Sequence, residues 1–179
     1  MFTLSFSFAS IREGLPTNDA SITYQVNNVY NQNMGKVHKI GLSKIKGGKI
    51  DSFNEVKATA GKGLVNDRKY KEENNIKSQI TLIEIENINY YNKISKTNIR
   101  AIDFRRNIIT SDINLNNLIN KEFYIGEVKV KAHDLCRPCK YLEHLLKQKE
   151  FVKKLLKKGG LRCEILTSGN IYINDKISY

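Results

Sequence analysis

The run Glu122-Phe123-Tyr124-Ile125-Gly126-Glu127-Val128-Lys129-Val130 decides the fold class. Phe123 and Ile125 alternate with polar neighbours, Val128 and Val130 do the same, and Gly126 lies between the two runs. Period-two alternation marks strands with one buried face, and a glycine inside such a pattern marks a bulge or tight turn that resets the register. Working outward, Leu161, Cys163 and Ile165 alternate in the same way, and Ser168-Gly169-Asn170 turns the chain into Ile171-Tyr172-Ile173. Upstream, residues 37–45 contain a strand with Gly47-Gly48 as its turn. Ser78-Gln79-Ile80-Thr81-Leu82-Ile83-Glu84-Ile85 is rich in β-branched residues, and residues 104–110 form a further candidate strand. Short strands punctuated by glycine predict a mainly β protein with a few helices, arranged as a small barrel or sandwich.

Two helices are expected. One covers residues 84–93. The other follows Cys136-Arg137-Pro138-Cys139, where Leu142, Leu145, Leu146, Phe151, Val152, Leu155 and Leu156 make an apolar stripe at helical spacing. Pro138 suits the first turn of such a helix, where its missing N–H costs nothing. Lys157-Lys158 and then Gly159-Gly160 supply the cations and the stop expected at its end.

The whole chain has 179 residues, 40% hydrophobic and 27% charged, with 30 Lys+Arg against 18 Asp+Glu. That length suits one domain with a sizeable core. No apolar run reaches the length of a membrane-spanning helix. Three cysteines are too few, and odd in number, for a disulfide framework, and the apolar opening Met1–Ala9 lacks the basic flank of a secretory signal. A cytoplasmic protein with reduced thiols is the expectation. Residues 1–33 carry turn chemistry and an Asn-rich tract, so they read as an N-terminal extension or an upstream start, with the domain proper at 34–179. The competing idea is that Phe2, Leu4, Phe6 and Phe8 alternate as an edge strand. Lys outnumbers Arg by 23 to 7 and 20 residues are Asn, a bias of composition more than a built polyanion face. No run interleaves clustered cations with aromatics, which argues against nucleic acid as the partner.

Cys139 is the sharpest chemical candidate. A position in the first turn of a helix, between Pro138 and Lys140 and near Arg137, favours a thiolate, whereas a buried free cysteine is merely a small hydrophobe. Cys136-x-x-Cys139 also admits a dithiol redox site, which needs a βαβ surround that the strand pattern does not supply. A zinc site from His133, Cys136 and Cys139 with Cys163 or His144 is a third option, with tight spacing and no second paired motif. In a chain that prefers Lys, Arg is retained where its planar fork matters, and Arg68, Arg105, Arg106, Arg137 and Arg162 all sit in or beside Gly-, Cys- or strand-rich motifs. Gly61-Lys62-Gly63 could cradle an anion on backbone N–H groups, although two glycines alone are not specific.

Taken in order, Gly61-x-Gly63-Leu64-x-x-Asp67-Arg68, Gln79-Ile80-Thr81-Leu82-Ile83-Glu84, Arg105-Arg106-Asn107-Ile108, Ile125-Gly126-Glu127-Val128, Leu135-Cys136-x-Pro138-Cys139 and Gly159-Gly160-Leu161-Arg162 resemble a MOSC domain, the C-terminal domain of molybdenum cofactor sulfurases, which also occurs as small stand-alone bacterial proteins. The resemblance covers about residues 34–179. It implies a mostly antiparallel β-barrel and a pterin-based molybdenum cofactor (molybdopterin), with Cys139 where the family has its characteristic cysteine, the molybdenum ligand of the related mitochondrial amidoxime reducing component. The implied cofactor-binding residues are Gly61, Gly63, Asp67, Arg68, Arg105, Arg106, Asn107 and Arg162. The implied chemistry is reduction of N-hydroxylated substrates with a separate electron-donor reductase, since three cysteines cannot also supply an iron–sulfur cluster. Sulfur carriage on Cys139, fed by a sulfur donor protein because no pyridoxal-phosphate domain is present, is the other option. A non-catalytic cofactor-binding or storage module and a basic nucleic-acid-binding barrel are the rivals. The sequence departs from the family at Asn66, where Gly is frequent, and at Lys69, where His or Tyr is frequent.

Overall fold

The computed structural model describes residues 34–72 and 74–179. The expectations for residues 1–33 therefore lie outside the described residues.

Among the described residues, eleven strands and three α-helices follow one another as β1 (Gly35–Leu42), β2 (Asp51–Phe53), β3 (Glu55–Thr59), β4 (Gly63–Leu64), β5 (Ile80–Glu84), α1 (Ile85–Ser95), β6 (Ile108–Ser111), β7 (Glu122–Ile125), β8 (Val128–Leu135), α2 (Lys140–Leu145), α3 (Phe151–Lys154), β9 (Leu161–Ile165), β10 (Gly169–Tyr172) and β11 (Lys176–Ser178). Seven strands close a barrel in the order β11-β7-β8-β9-β5-β6-β1, and pairing of β1 with β11 through Gly35↔Ile177 and Lys36↔Lys176 completes the ring. β2 extends the sheet beyond β1, and β10-β3-β4 form a separate three-stranded sheet. The hairpin read around Gly126 is present: Phe123 faces Val130 and Ile125 faces Val128, with Gly126 at φ 57° in the turn.

Alternation fills the barrel interior. Val37, Ile40, Ile80, Leu82, Phe123, Ile125, Val128, Val130, Leu161, Cys163 and Ile165 are all fully or nearly fully buried in one cluster. Register shifts in β1 between Val37 and Lys39, and in β8 between Ala132 and Asp134, let these strands bend around the ring. Ile83 and Ile109 point the other way, into a second cluster beneath α1 where Tyr91, Phe104 and Phe151 meet edge-on or tilted at 5.0–5.8 Å between ring centroids.

The expectations are refined at one point and corrected at others. First, the barrel is mostly antiparallel, as expected, with one parallel pair, β5 and β6 (Leu82↔Ile108, Ile83↔Ile109), joined through α1. One βαβ unit therefore exists, although Cys136 and Cys139 do not lie on it. Strands β5 and β6 are covered on both faces, by the barrel core and by the α1 cluster, which is the usual setting of parallel pairing. Second, the long helix after Cys139 is two short ones. Lys147 (φ 53°) and Glu150 (φ 59°) adopt the left-handed conformation between them, which no helix continues through. Glu143 ties the break by accepting from the Val152 N–H at 3.0 Å. Leu142, Phe151 and Leu155 are buried, whereas Leu145 and Leu156 stay exposed. Third, Pro138 precedes the helix instead of opening its first turn, since Cys139 is the N-cap of α2.

Candidate functional site

The loop after β4 is built around one carboxylate. Asp67 is 6% exposed and accepts from the Ser43 N–H at 3.3 Å, the Lys69 N–H at 3.0 Å and Asn107 Nδ2 at 3.3 Å. Asn107 is buried too. Its Oδ1 accepts from the Thr81 hydroxyl at 2.8 Å and the Thr81 N–H at 3.2 Å, while its own N–H donates back to Thr81 Oγ1 at 3.2 Å. Asp67 and Asn107 thus lock β5 and the start of β6 to the loop, and their polar atoms are spent doing so. Asn66, at the position where the family often has Gly, takes φ 67°. Asn tolerates the left-handed region better than other residues with a side chain, so Asn66 suits this turn.

Gly61 sits at φ 75° in the tight turn between β3 and β4, and Gly63, at φ 121°, is the first residue of β4. The N–H groups of Gly61 and Lys62 donate to Ile165 O (3.4 Å) and Thr59 O (3.1 Å). The first bond ties the turn to β9 and the second closes the hairpin.

The adjacent arginines divide their labour. Arg106 spends its fork on carbonyls: Nε to Gly159 O at 2.9 Å, Nη1 to Phe104 O at 3.1 Å and Nη2 to Cys136 O at 3.0 Å. Cys136 N–H in turn donates to Gly160 O at 2.6 Å. A methyl group on Gly159 would collide with Cys136 O, and one on Gly160 with Leu82 O. The Gly159-Gly160 pair lets two backbones touch, and Arg106 clamps them, so the Cys136–Cys139 segment is held in place from below.

Arg105, at φ 61°, donates only from Nη1, to Gly48 O at 2.8 Å, and its Nη2 is buried without a hydrogen-bond partner. Burial and the neighbouring Arg68 both make its charge harder to hold, lowering its pKa. Lys69 is in the same position: burial lowers its pKa first, and Arg68 and Arg162 push the same way, against the Cys136 thiol and Asp67. Arg162 stands on β9 opposite Thr81 and Asp134. Arg68 lies 4.0 Å from Asp67, at the edge of an ion pair. Of the carboxylates near this cluster, Asp103 is paired with Arg100 at 2.8 and 3.0 Å, Asp67 accepts from N–H donors, and Asp134 faces Arg162, so the four cations outnumber them. Arg68, Lys69, Arg105 and Arg162 therefore form a basic mouth with surplus positive charge. Lys69 was not among the sequence candidates; its one signal was that it breaks the family pattern beside Arg68.

The three thiols differ sharply. Cys163 lies inside the barrel, where burial pushes its pKa far up, with Cys136 adding to the rise. Cys136 is 5% exposed. Cys139 is exposed and its side chain makes no cap hydrogen bond. The proposed zinc ligands do not converge: His133 Nε2 bonds Glu164 Oε2 at 2.7 Å, and among the described residues no group of three His, Cys, Asp or Glu side chains gathers. We expect iodoacetamide to label Cys139 quickly in the folded protein and Cys163 only on unfolding, as peptide mass spectrometry reads. Fast native labelling of Cys163 would contradict the barrel packing.

The chain is a small closed barrel with a basic cluster of Arg68, Lys69, Arg105 and Arg162, and Cys139 is its exposed thiol. The chain belongs to the MOSC domain family, whose pattern matches residues 44–178. Its fold is similar to the crystal structure of the YuaD protein from Bacillus subtilis (17% identity, TM-score 0.71, covering 82% of this chain and 97% of that one). It is similar as well to YiiM from Geobacillus stearothermophilus (13%, 0.63, covering 80% and 74%) and to YiiM from Escherichia coli (16%, 0.61, covering 80% and 67%). No curated protein matches it in sequence. Among the described residues no helix is long and apolar enough to cross a membrane.

Proposed function

We propose that this domain binds the pterin-based molybdenum cofactor at its basic mouth, with Cys139 as the ligand to the metal. The observation that carries the reading is the buried, unpartnered Nη2 of Arg105, beside Arg68, which in turn neighbours Lys69, itself near Arg162. Buried polar atoms are nearly always paired, so a guanidinium left short of an acceptor in a cationic cluster fits an anionic group such as the pterin phosphate. The donor set also suits the metal, because an exposed cysteine sulfur is a soft ligand. When bound, the cofactor supplies oxygen-atom transfer at molybdenum, here toward N-hydroxylated substrates.

The chain's own residues do the rest. Arg68, Lys69, Arg105 and Arg162 neutralise and orient the anion. Arg106, Asp67 and Asn107 hold the loops that carry them. Cys139 presents its sulfur at the rim without a hydrogen bond to break. A second reading, a sulfur carrier with a persulfide on Cys139, is favoured by that same exposure. Electrons in the first case, and sulfur in the second, come from a partner protein.

Molybdenum and pterin content, measured on full-length protein from a host that makes the cofactor, tests the proposal. We expect near-stoichiometric molybdenum, lost in Cys139→Ser with the fold intact. Full metal in Cys139→Ser overturns the ligand assignment. Thiocyanate released by cyanide from a molybdenum-free preparation would mark the sulfur-carrier reading instead.

A further inference from the structure

A cavity of about 420 Å³ lies away from the basic mouth, walled by Glu84, Glu86, Asp112, Asn114, Asn116 and Lys158. Asn107, at the mouth, is bonded to Thr81 on β5. Glu84 comes three residues further along that strand, about 10 Å away at the rise of a β-strand. The cavity sits where the parallel strands β5 and β6 end: Glu84 is the last residue of β5 and Asp112 immediately follows β6.

We infer that this cavity binds a small organic cation, a primary ammonium compound, through the buried carboxyl of Glu84. Glu84 is 5% exposed. Its Oε1 accepts from the Leu115 N–H at 3.2 Å, and its Oε2 is buried without a hydrogen-bond partner. Helix capping does not explain it, since Glu84 is the N-cap of α1 yet makes no side-chain cap bond. A buried carboxyl short of a donor costs stability, and burial shifts this one toward its neutral form, partly offset by the nearby Asn87 amide and the Leu115 N–H. Rotation about the last side-chain bond of a Glu is soft, so Oε2 can turn to a guest in the cavity.

The charge of the wall sets the class of guest. Glu84, Glu86 and Asp112 outnumber Lys158, whose ammonium stands 4.8 Å over the Tyr90 ring. Among the described residues these carboxyls do not converge as metal ligands do. Glu86 accepts from the Asp112 N–H at 2.9 Å, and Asp112 lies 3.5 Å from Lys36 and accepts from the Ser111 hydroxyl. They supply a negative field around Glu84, whose Oε2 is the buried carboxylate oxygen left without a partner among the described residues. The volume falls in the lower part of the range for small-molecule pockets.

The test titrates the full chain with n-butylammonium, with n-butanol as the neutral control and Mn²⁺ as the metal arm, following backbone amide NMR signals. Saturable shifts centred on Leu115 and Asn116 with butylammonium alone are expected, weakened about tenfold by Glu84→Gln. No saturable shift, equal affinity in Glu84→Gln, or Mn²⁺ broadening at Leu115 that butylammonium does not compete away would each overturn the inference. Lys158→Ala keeps the test open if Glu84→Gln fails to fold. Tighter butylammonium binding, as expected when a like charge leaves the wall, supports the site, and unchanged or weaker binding overturns it.

Discussion

Gly160→Ala is expected to cost about 2–5 kcal/mol and to lower the melting temperature by about 5–15 °C. Two effects add. Gly160 holds φ 89°, and an L-residue with a β-carbon pays about 1–2 kcal/mol in left-handed backbone. The new methyl would also run into the carbonyl of Leu82 and crowd Ile83, an overpacking that typically costs about 1–3 kcal/mol. Backbone cannot swing aside as a lysine tip can, so relaxation must move β5 or the segment that carries Cys136. Gly61→Ala is the control, because it sits at φ 75° with nothing within 4 Å of the added carbon. It should show the backbone cost alone, about 1–2 kcal/mol. Comparable losses in the two variants, measured by thermal or urea unfolding, would mean that the close approach of Gly160 to β5 does not constrain the fold.

Much of this fold could be read from the chain, and the parts that could not share a physical cause. The hairpin at Gly126 and strand β9 announce themselves because one face is buried and one wet, which period-two alternation records directly. Strand β5 is buried along its whole length, so its sequence carries no face information, and neither its partner nor the parallel sense of the pair is legible. The break between α2 and α3 is silent for another reason: Lys147 and Glu150 take left-handed conformations without the Gly or Asn that would signal them. At the site, ordered motifs led to the family, while the sequence could not separate Arg105 from Arg106. Two identical neighbours differ only in what three-dimensional packing offers each guanidinium. The cavity at Glu84 had no sequence signature at all, because its wall is assembled from β5, α1, the loop after β6 and Lys158 beyond α3.

The contrast between those arginines gives the second large effect. Arg106→Lys keeps the charge and removes the fork, so at least two of three hydrogen bonds to Gly159, Phe104 and Cys136 carbonyls are lost. Hydrogen bonds from a charged donor contribute about 1.5–3 kcal/mol each, and a lysine ammonium recovers part by reaching one carbonyl or a water. A net loss of about 2–4 kcal/mol follows, which corresponds to a melting temperature lower by about 4–16 °C for a domain of this size. Arg105→Lys should behave oppositely. It gives up one bond to Gly48 O and relieves a buried, unpartnered nitrogen, so stability should change by less than about 1 kcal/mol while cofactor retention falls. The pair separates scaffold from site in a single experiment: melting temperature and bound molybdenum measured side by side on both variants. Loss of metal in Arg106→Lys at an unchanged melting temperature, or a large stability loss in Arg105→Lys with full metal, would exchange the two roles and return Arg106 to the cofactor.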